Sequence, residues 1–268
     1  MLDERELGRA SELAIGLGRW VIGEVGRRRP TVADLATKAH AADWVTSVDV
    51  SVERRAREVL AEEFPDHALV GEEMGGSDPP DGGPRWYIDP IDGTTNFVHG
   101  MPGYSFSLAV ADEAGLAAGV VAVPFTGELF SAVRGRGAWL DEQRLECSPA
   151  KTLVGGIVLV ELAGYRIWPG LPEVMARLEE RSCVTRVLGS SAYTLASVGA
   201  GRAAAAYFGG CQPIDCAAGV LVAKEAGGRV ITGPGAHLAF PADMSASRAG
   251  LAVAAPGVAE EILRIWGG

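Results

Sequence analysis

Residues 86–100 read Trp-Tyr-Ile-Asp-Pro-Ile-Asp-Gly-Thr-Thr-Asn-Phe-Val-His-Gly, and this segment limits the possible folds more than any other. An apolar, aromatic run of this kind suits a buried strand. Pro90 removes a ladder donor and disfavours helix for the residue before it, so the strand is expected to end at Asp89. Asp92, Gly93 and Thr94 then read as a turn entering a short helix, where free backbone N–H groups favour an anion. By itself, Asp-Gly-Thr could be an ordinary turn with Thr94 or Thr95 as an N-cap.

Two further acidic positions change that balance. Gly71-Glu72-Glu73 follows the apolar run Ala68 to Val70, a second strand end that delivers acid. Downstream, Pro213-Ile214-Asp215-Cys216-Ala217-Ala218-Gly219 opens a small-residue helix that glycines stop at Gly227-Gly228. Asp215 alone would be read as a partner of the helix dipole. Three such sites together point instead to a metal centre beside a phosphate cradle. Hard divalent cations take oxygen ligands, and magnesium binds through a few carboxylates while recruiting phosphate oxygens.

These motifs, with Asp43-Trp44-Val45-Thr46-Ser47-Val48-Asp49 and Lys38 ahead of it, resemble the inositol monophosphatase family of magnesium-dependent, lithium-sensitive phosphomonoesterases over nearly the whole chain. The resemblance implies a layered αβαβα sandwich of the inositol monophosphatase and fructose-1,6-bisphosphatase type. It places an N-terminal α+β half at 1–146, carrying the metal and phosphate motifs, and a C-terminal α/β half at 147–268, carrying Asp215 and the specificity residues. It further implies two or three Mg2+ ions, with Glu72, Asp89 and the Ile91 carbonyl holding one, and Asp89, Asp92 and Asp215 a second. Thr94 and Asp49 would orient or deprotonate a water, and the N–H groups of Gly93 and Thr94 would bind phosphate. A homodimer, and a loop carrying Lys38 that folds over the site, belong to the same expectation.

Substrate choice is less determined. Where inositol-preferring members carry a glutamate seven residues before the last metal aspartate, this chain has Phe208. A phenyl ring cannot accept a polyol hydrogen bond but can pack on an apolar or aromatic leaving group, or simply on the core. Ser190 and Ser191 align with a segment that contacts substrate. The expected substrate is therefore a small phosphomonoester, with an inositol-like polyol or a nucleoside as leaving group. The alternatives are an aminonucleotide or histidinol phosphate, and, outside catalysis, a metal-binding regulator. His99 is assigned a structural role, and of Glu72 and Glu73 one is expected to face away if that edge stays extended.

The remaining chain is consistent with this reading. A net charge of −10 argues against nucleic-acid polymers, and Arg27-Arg28-Arg29 before Pro30 reads as a helix end. No run approaches the roughly 20 apolar residues of a membrane span, and the acidic N-terminus lacks a signal pattern, so the cytoplasm is the default. Four cysteines without a Cys-x-x-Cys pair suggest buried thiols, although Cys211 and Cys216 could approach one another. Periodicity predicts helices over Leu7–Val21 and Ser51–Phe64, an antiparallel meander from Tyr104 to Arg134 with a closing hairpin to Leu145, and alternating strands and helices from Leu153 onward.

Overall fold

In the computed structural model, described over residues 1–28, 35–38, 40, 44–76, 83–210, 212–232 and 250–267, every long helix packs either between the two larger sheets or on the outer face of one of them. The chain begins with α1 (Glu4–Val25), followed by a hairpin of β1 (Leu35–Thr37) and β2 (Trp44–Thr46), then α2 (Ser47–Glu63). Next come β3 (Ala68–Gly71), β4 (Arg85–Asp92), the single-turn α3 (Thr94–Val98), and a run of β5 (Ser105–Asp112), β6 (Gly115–Val123), β7 (Glu128–Val133), β8 (Gly137–Leu140) and β9 (Gln143–Arg144). These strands form a seven-stranded sheet in sequence order; β3 and β4 run parallel and every later pair is antiparallel. The expected meander is therefore present.

The rest of the chain supplies β10 (Ile157–Glu161), α4 (Leu171–Glu180), β11 (Val184–Arg186), α5 (Ser191–Gly199), β12 (Ala205–Phe208), α6 (Pro213–Glu225), β13 (Arg229–Thr232), β14 (Leu251–Ala254) and α7 (Ala259–Gly267). Its five strands are ordered β11-β10-β12-β14-β13, parallel across the first three and antiparallel at β14 and β13. The second sheet is thus mixed, a feature that alternating strands and helices alone do not specify. Helices α1 and α2 cover one face of the large sheet, α5 and α6 fill the space between the sheets, and α4 and α7 close the outer face. Three hydrophobic cores correspond to those interfaces. This is the layered αβαβα sandwich.

Local chemistry explains the elements. Asp3 accepts from the N–H groups of Arg5 and Glu6, while Glu6 reaches back to Asp3 N, a capping box that starts α1. α2 begins at Ser47, four residues before the position expected from apolar spacing, because Thr46 and Asp49 form a second capping box. α6 lies between two sheets and is apolar on all sides, with residues from Ile214 to Ala223 buried except Asp215. Its small residues allow close approach: a Cβ on Gly219 would stand 2.6 Å from that of Leu195 on α5.

Strand β4 does not stop at Asp89 but runs on to Asp92. Asp89 pairs with Ser107 and Asp92 with Ser105, so three steps on one strand face two on the other. The extra residue is a bulge, and it accommodates Pro90, which has no N–H to give the ladder. The result is that Asp89 and Asp92 both remain on the sheet and close to one another. No helix among the described residues is long and apolar enough to cross a membrane.

Candidate active site

The bulged end of β4 opens into a cleft of about 790 Å³ between the two sheets. Its walls include Glu72, Asp89, Ile91, Asp92, Gly93, Thr94, Ser191 and Asp215, so eight of the eleven residues singled out from the sequence meet in one place. Each comes from the end of an element: Glu72 from the turn after β3, Asp89 to Asp92 from β4, Thr94 from the start of α3, and Asp215 from the first turn of α6. Ligand sites at strand ends between layers are the usual arrangement in α/β architectures.

The electrostatics are those of crowded acids with one cation, Lys38, at the edge of the group. Burial, followed by the charges of Glu72, Asp92 and Asp215, raises the Asp89 carboxyl well above its ordinary value, and Asp89 also shares a hydrogen bond with Glu72. Burial and then Asp92 and Glu72 do the same to Asp215. Asp92 is pushed up to about 6 by burial, although Ser190 Oγ and the N–H of Ala192, both at 2.7 Å, work in the opposite direction. Among the described residues no three such side chains already close on a single point. Lys38 Nζ instead lies 2.7 Å from both Glu72 and Glu73.

This set fits a hard divalent cation. All its donors are oxygens, and a dication would relieve the mutual repulsion that raises the carboxyls. Both glutamates turn toward Lys38 because β3 ends at Gly71 and residues 72–74 form a turn, so the alternation expected of an extended edge does not apply. Only Glu72 lines the cleft.

Asp49 is fully buried and lies behind the cleft wall. Its Oδ2 accepts from Thr46 N at 2.9 Å and Thr46 Oγ1 at 2.5 Å, and its Oδ1 stands 3.3 Å from Thr94 Oγ1. Burial, opposed by Thr46, pushes its carboxyl up to about 6. Among the described residues, the Thr94 hydroxyl is what links Asp49 to the cleft. That hydroxyl also has the Ile91 carbonyl at 2.9 Å, and its single proton serves one acceptor at a time.

Gly93 has φ 93° and ψ 38°, and a Cβ there would stand 2.7 Å from the Gly189 carbonyl and 2.8 Å from that of Gly103. Only glycine allows this approach. Because α3 has five residues, an anion at its start would meet exposed N–H groups rather than the dipole of a long helix.

Two substrate assignments need correction. Ser190 is buried and does not face the cleft: it caps α5 by accepting from Tyr193 N and donates to Asp92. A hydroxyl directly before an apolar helix is a capping signal, and capping decides its direction here. Phe208 is 1% exposed and its ring packs in the core between the sheets. The second sheet is covered on both faces, so alternate residues of β12 point into two cores and neither set reaches solvent. His99 is exposed and its N–H closes α3. Cys216 is buried, Cys147 and Cys183 half-buried, all three as free thiols; Cys211 and Asp43 lie outside the described residues.

The structure also brings forward residues that motif reading overlooks. Glu161, buried at the end of β10, accepts from the N–H groups of Leu188 and Gly189 and from Thr194 Oγ1 at 2.6 Å. Asn96 Nδ2 donates to the carbonyls of Gly103 and Leu188, tying α3 to the same loop. Tyr165 lines the rim, its ring stacked on His40 at 4.1 Å. Glu161 could have been found by the signal that found Asp89, an acid ending an apolar run.

A profile of the inositol monophosphatase family matches residues 3–265. A protein named Nus factor SuhB from Pasteurella multocida is 36% identical over 223 residues, covering 82% of this chain and 81% of its own length. An inositol-1-monophosphatase from Mycobacterium bovis is 38% identical over 238 residues, covering 84% and 79%. Among solved structures, an IMPase from Thermotoga maritima superimposes with a TM-score of 0.80 at 29% identity, covering 97% of this chain and 95% of its own.

Proposed function

The chain belongs to the inositol monophosphatase family, and on that basis we propose that it is a magnesium-dependent hydrolase of a small phosphomonoester. One observation carries the reading: the carboxylates of Glu72, Asp89, Asp92 and Asp215, delivered from three places in the fold, converge on one cleft, against a Thr94 hydroxyl backed by buried Asp49. Glu72, Asp89 and the Ile91 carbonyl would hold one Mg2+, and Asp89, Asp92 and Asp215 a second. When bound, the ions supply charge neutralisation at the phosphoryl group, a lowered pKa for water, and stabilisation of the leaving oxygen.

The chain's own residues contribute the rest. Thr94 orients the attacking water and passes its proton toward Asp49, whose raised carboxyl suits a proton acceptor near neutral pH. The N–H groups of Gly93 and Thr94 bind phosphate oxygens whose charge persists through the transition state. Ser191, Gln212 and the rim ring of Tyr165 face the leaving group. A half-exposed aromatic ring beside polar groups accommodates either a polyol or a nucleoside. Phe208, being buried, no longer speaks for the nucleoside.

The test is phosphate release from a panel of inositol 1-phosphate, AMP, histidinol phosphate, fructose 1,6-bisphosphate and an aminonucleotide, each with magnesium and with chelator. Magnesium-dependent release from at least one is expected. Magnesium binding without turnover on the whole panel would favour a non-catalytic role, which the name of the Pasteurella relative brings into consideration. Pairing into a homodimer belongs to the same family expectation, and sedimentation of the purified chain checks it.

A further inference from the structure

Glu53 is completely buried, sits one helical turn beyond Asp49 on α2, and does not line the cleft. Its carboxylate nevertheless takes four hydrogen bonds. Oε1 accepts from Arg57 Nε at 2.9 Å, Arg57 Nη2 at 2.8 Å and Met74 N at 3.0 Å, and Oε2 accepts from Glu73 N at 2.7 Å. Two of these donors are successive backbone amides of the turn that presents Glu72. The turn is itself closed by Gly71 N donating to the Gly75 carbonyl at 2.9 Å, and Arg57 donates to that same carbonyl.

Gly71 shows how tightly the parts fit. A Cβ at that position would stand 2.1 Å from Glu53 Oε1, so the carboxylate occupies the volume a side chain would need. A buried charge is expensive unless its partners satisfy it fully, and a tie of purely structural purpose is often made as well by apolar packing. Here the partners are chosen to fix a backbone: each amide has one direction, and the guanidinium locks the acceptor that receives them.

We propose that Glu53 is a positioning residue that sets the 71–75 turn and thereby aims the Glu72 carboxylate into the cleft. The inference rests on reading Glu72 as a ligand of the divalent cation. Lys38 grips Glu72 and Glu73 from the cleft side and Glu53 grips the amides from the core side. A cation can therefore replace Lys38 at Glu72 while the turn keeps its shape. One face of α2 then serves two tasks, since Asp49 meets Thr94 and Glu53 holds the turn.

The experiment uses the full chain and Mn2+ alone, with free Mn2+ followed by its electron paramagnetic resonance signal. Glu53→Gln keeps the volume but replaces one acceptor oxygen with an amide that opposes its donors. Removing an outer partner of a metal ligand typically weakens binding by roughly 10- to 100-fold, and a loss of that size is expected here. Thermal unfolding in chelator separates the alternatives, because a merely structural residue lowers the melting temperature while the folded variant keeps wild-type Mn2+ affinity; that result overturns the proposal. Glu72→Gln is measured alongside. If it binds Mn2+ like wild type, the ligand assignment fails; if it loses binding while Glu53→Gln does not, only the role of Glu53 fails. Should Glu53→Gln not fold, Arg57→Lys removes the fork that fixes Glu53 and keeps the charge, with several-fold weaker binding expected and unchanged binding counting against the proposal.

Discussion

Asp92→Asn should make the metal-free protein more stable while removing most of its turnover. Asp92 is held at about 6 against an ordinary 3.8, chiefly by burial and then, after its favourable bonds to Ser190 and Ala192, by the charge of Glu72. A rise of that size corresponds to roughly 3 kcal/mol of penalty on the ionised form in the folded state. Because the folded value lies above the unfolded one, the penalty is absent below about pH 4, grows as the pH rises, and is complete above about pH 6. The asparagine side chain would carry no charge, and its carbonyl could still accept from Ser190 Oγ and Ala192 N–H.

In chelator at pH 7 the variant should therefore gain up to about 3 kcal/mol, or roughly 5–10 °C in melting temperature for a chain of this size. The gain should shrink toward pH 4. Magnesium reverses the order: at 100 times its Kd it stabilises wild type by about 2.7 kcal/mol, and the variant by much less. Denaturant unfolding between pH 4 and 7.5, with and without magnesium, and phosphate release on the same samples measure all three effects. A variant less stable than wild type in chelator at pH 7 would show that Asp92 is a structural anchor whose bonds to α5 outweigh its repulsion, and the reading of a site built at a cost in stability would fall.

Asp112→Asn probes the opposite sign. Burial alone would raise this carboxyl, but two bonds from Arg134 at 2.8 Å and the N–H groups of Leu2 and Ala114 hold it at about 2. The group therefore contributes about 2 kcal/mol above pH 4 that is lost between about pH 4 and 2; acid titration of stability should show wild type and variant converging there. Phe208→Glu should lower stability by about 3 kcal/mol or more without redirecting substrate choice, since it places a carboxylate in the core; a folded variant that turns toward inositol phosphate would put the ring back in the cleft. Glu161→Ala leaves the amides of Leu188 and Gly189 without their acceptor and should cost about 2–4 kcal/mol, with activity falling alongside as the loop behind Asp92 loosens; denaturant curves and turnover are read together.

The legible part of the site is the part whose chemistry is local. Asp89, Asp92, Gly93 and Thr94 are neighbours in sequence, and each further acid announces itself at the end of an apolar run or the start of a small-residue helix. What could not be read is direction. Ser190 and Ser191 are adjacent hydroxyls, yet one caps a helix and holds Asp92 while the other faces the cleft. Phe208 stands where the resemblance puts a substrate residue, but its ring is buried in the core that also holds Ile214 and Leu251. The supporting carboxylates act on remote partners that no local pattern names: Glu53 on residues about 20 places away, and Glu161, although it ends an apolar run, on residues 27 and 28 places away. The fold was legible for a related reason. Strand periodicity is local, whereas the mixed order of the second sheet depends on a late strand, β14, inserting between β12 and β13.

These remote ties give the cleft a shared dependence on both sheets. Asp92 belongs to the large sheet, but its carboxylate is oriented by Ser190 and Ala192 at the start of α5, in the layer between the sheets. Ser105 meets Ser190 at 2.9 Å, Ser107 donates to the Ile214 carbonyl beside Asp215, and Asn96 donates to Leu188. Each bond joins a residue of β5 or α3 to a residue at the start of α5 or α6 or in the loop before α5. The repulsion among Asp89, Asp92 and Asp215 acts across the same seam that these neutral hydrogen bonds hold closed. A cation bound by acids from both sides would therefore do two things at once, neutralising the charge and drawing β4 and α6 together, so metal affinity and the packing of the two sheets are linked quantities. The acid cluster would pull against the fold until a cation occupied it, and the buried serines, Asn96 and Glu161 keep it assembled.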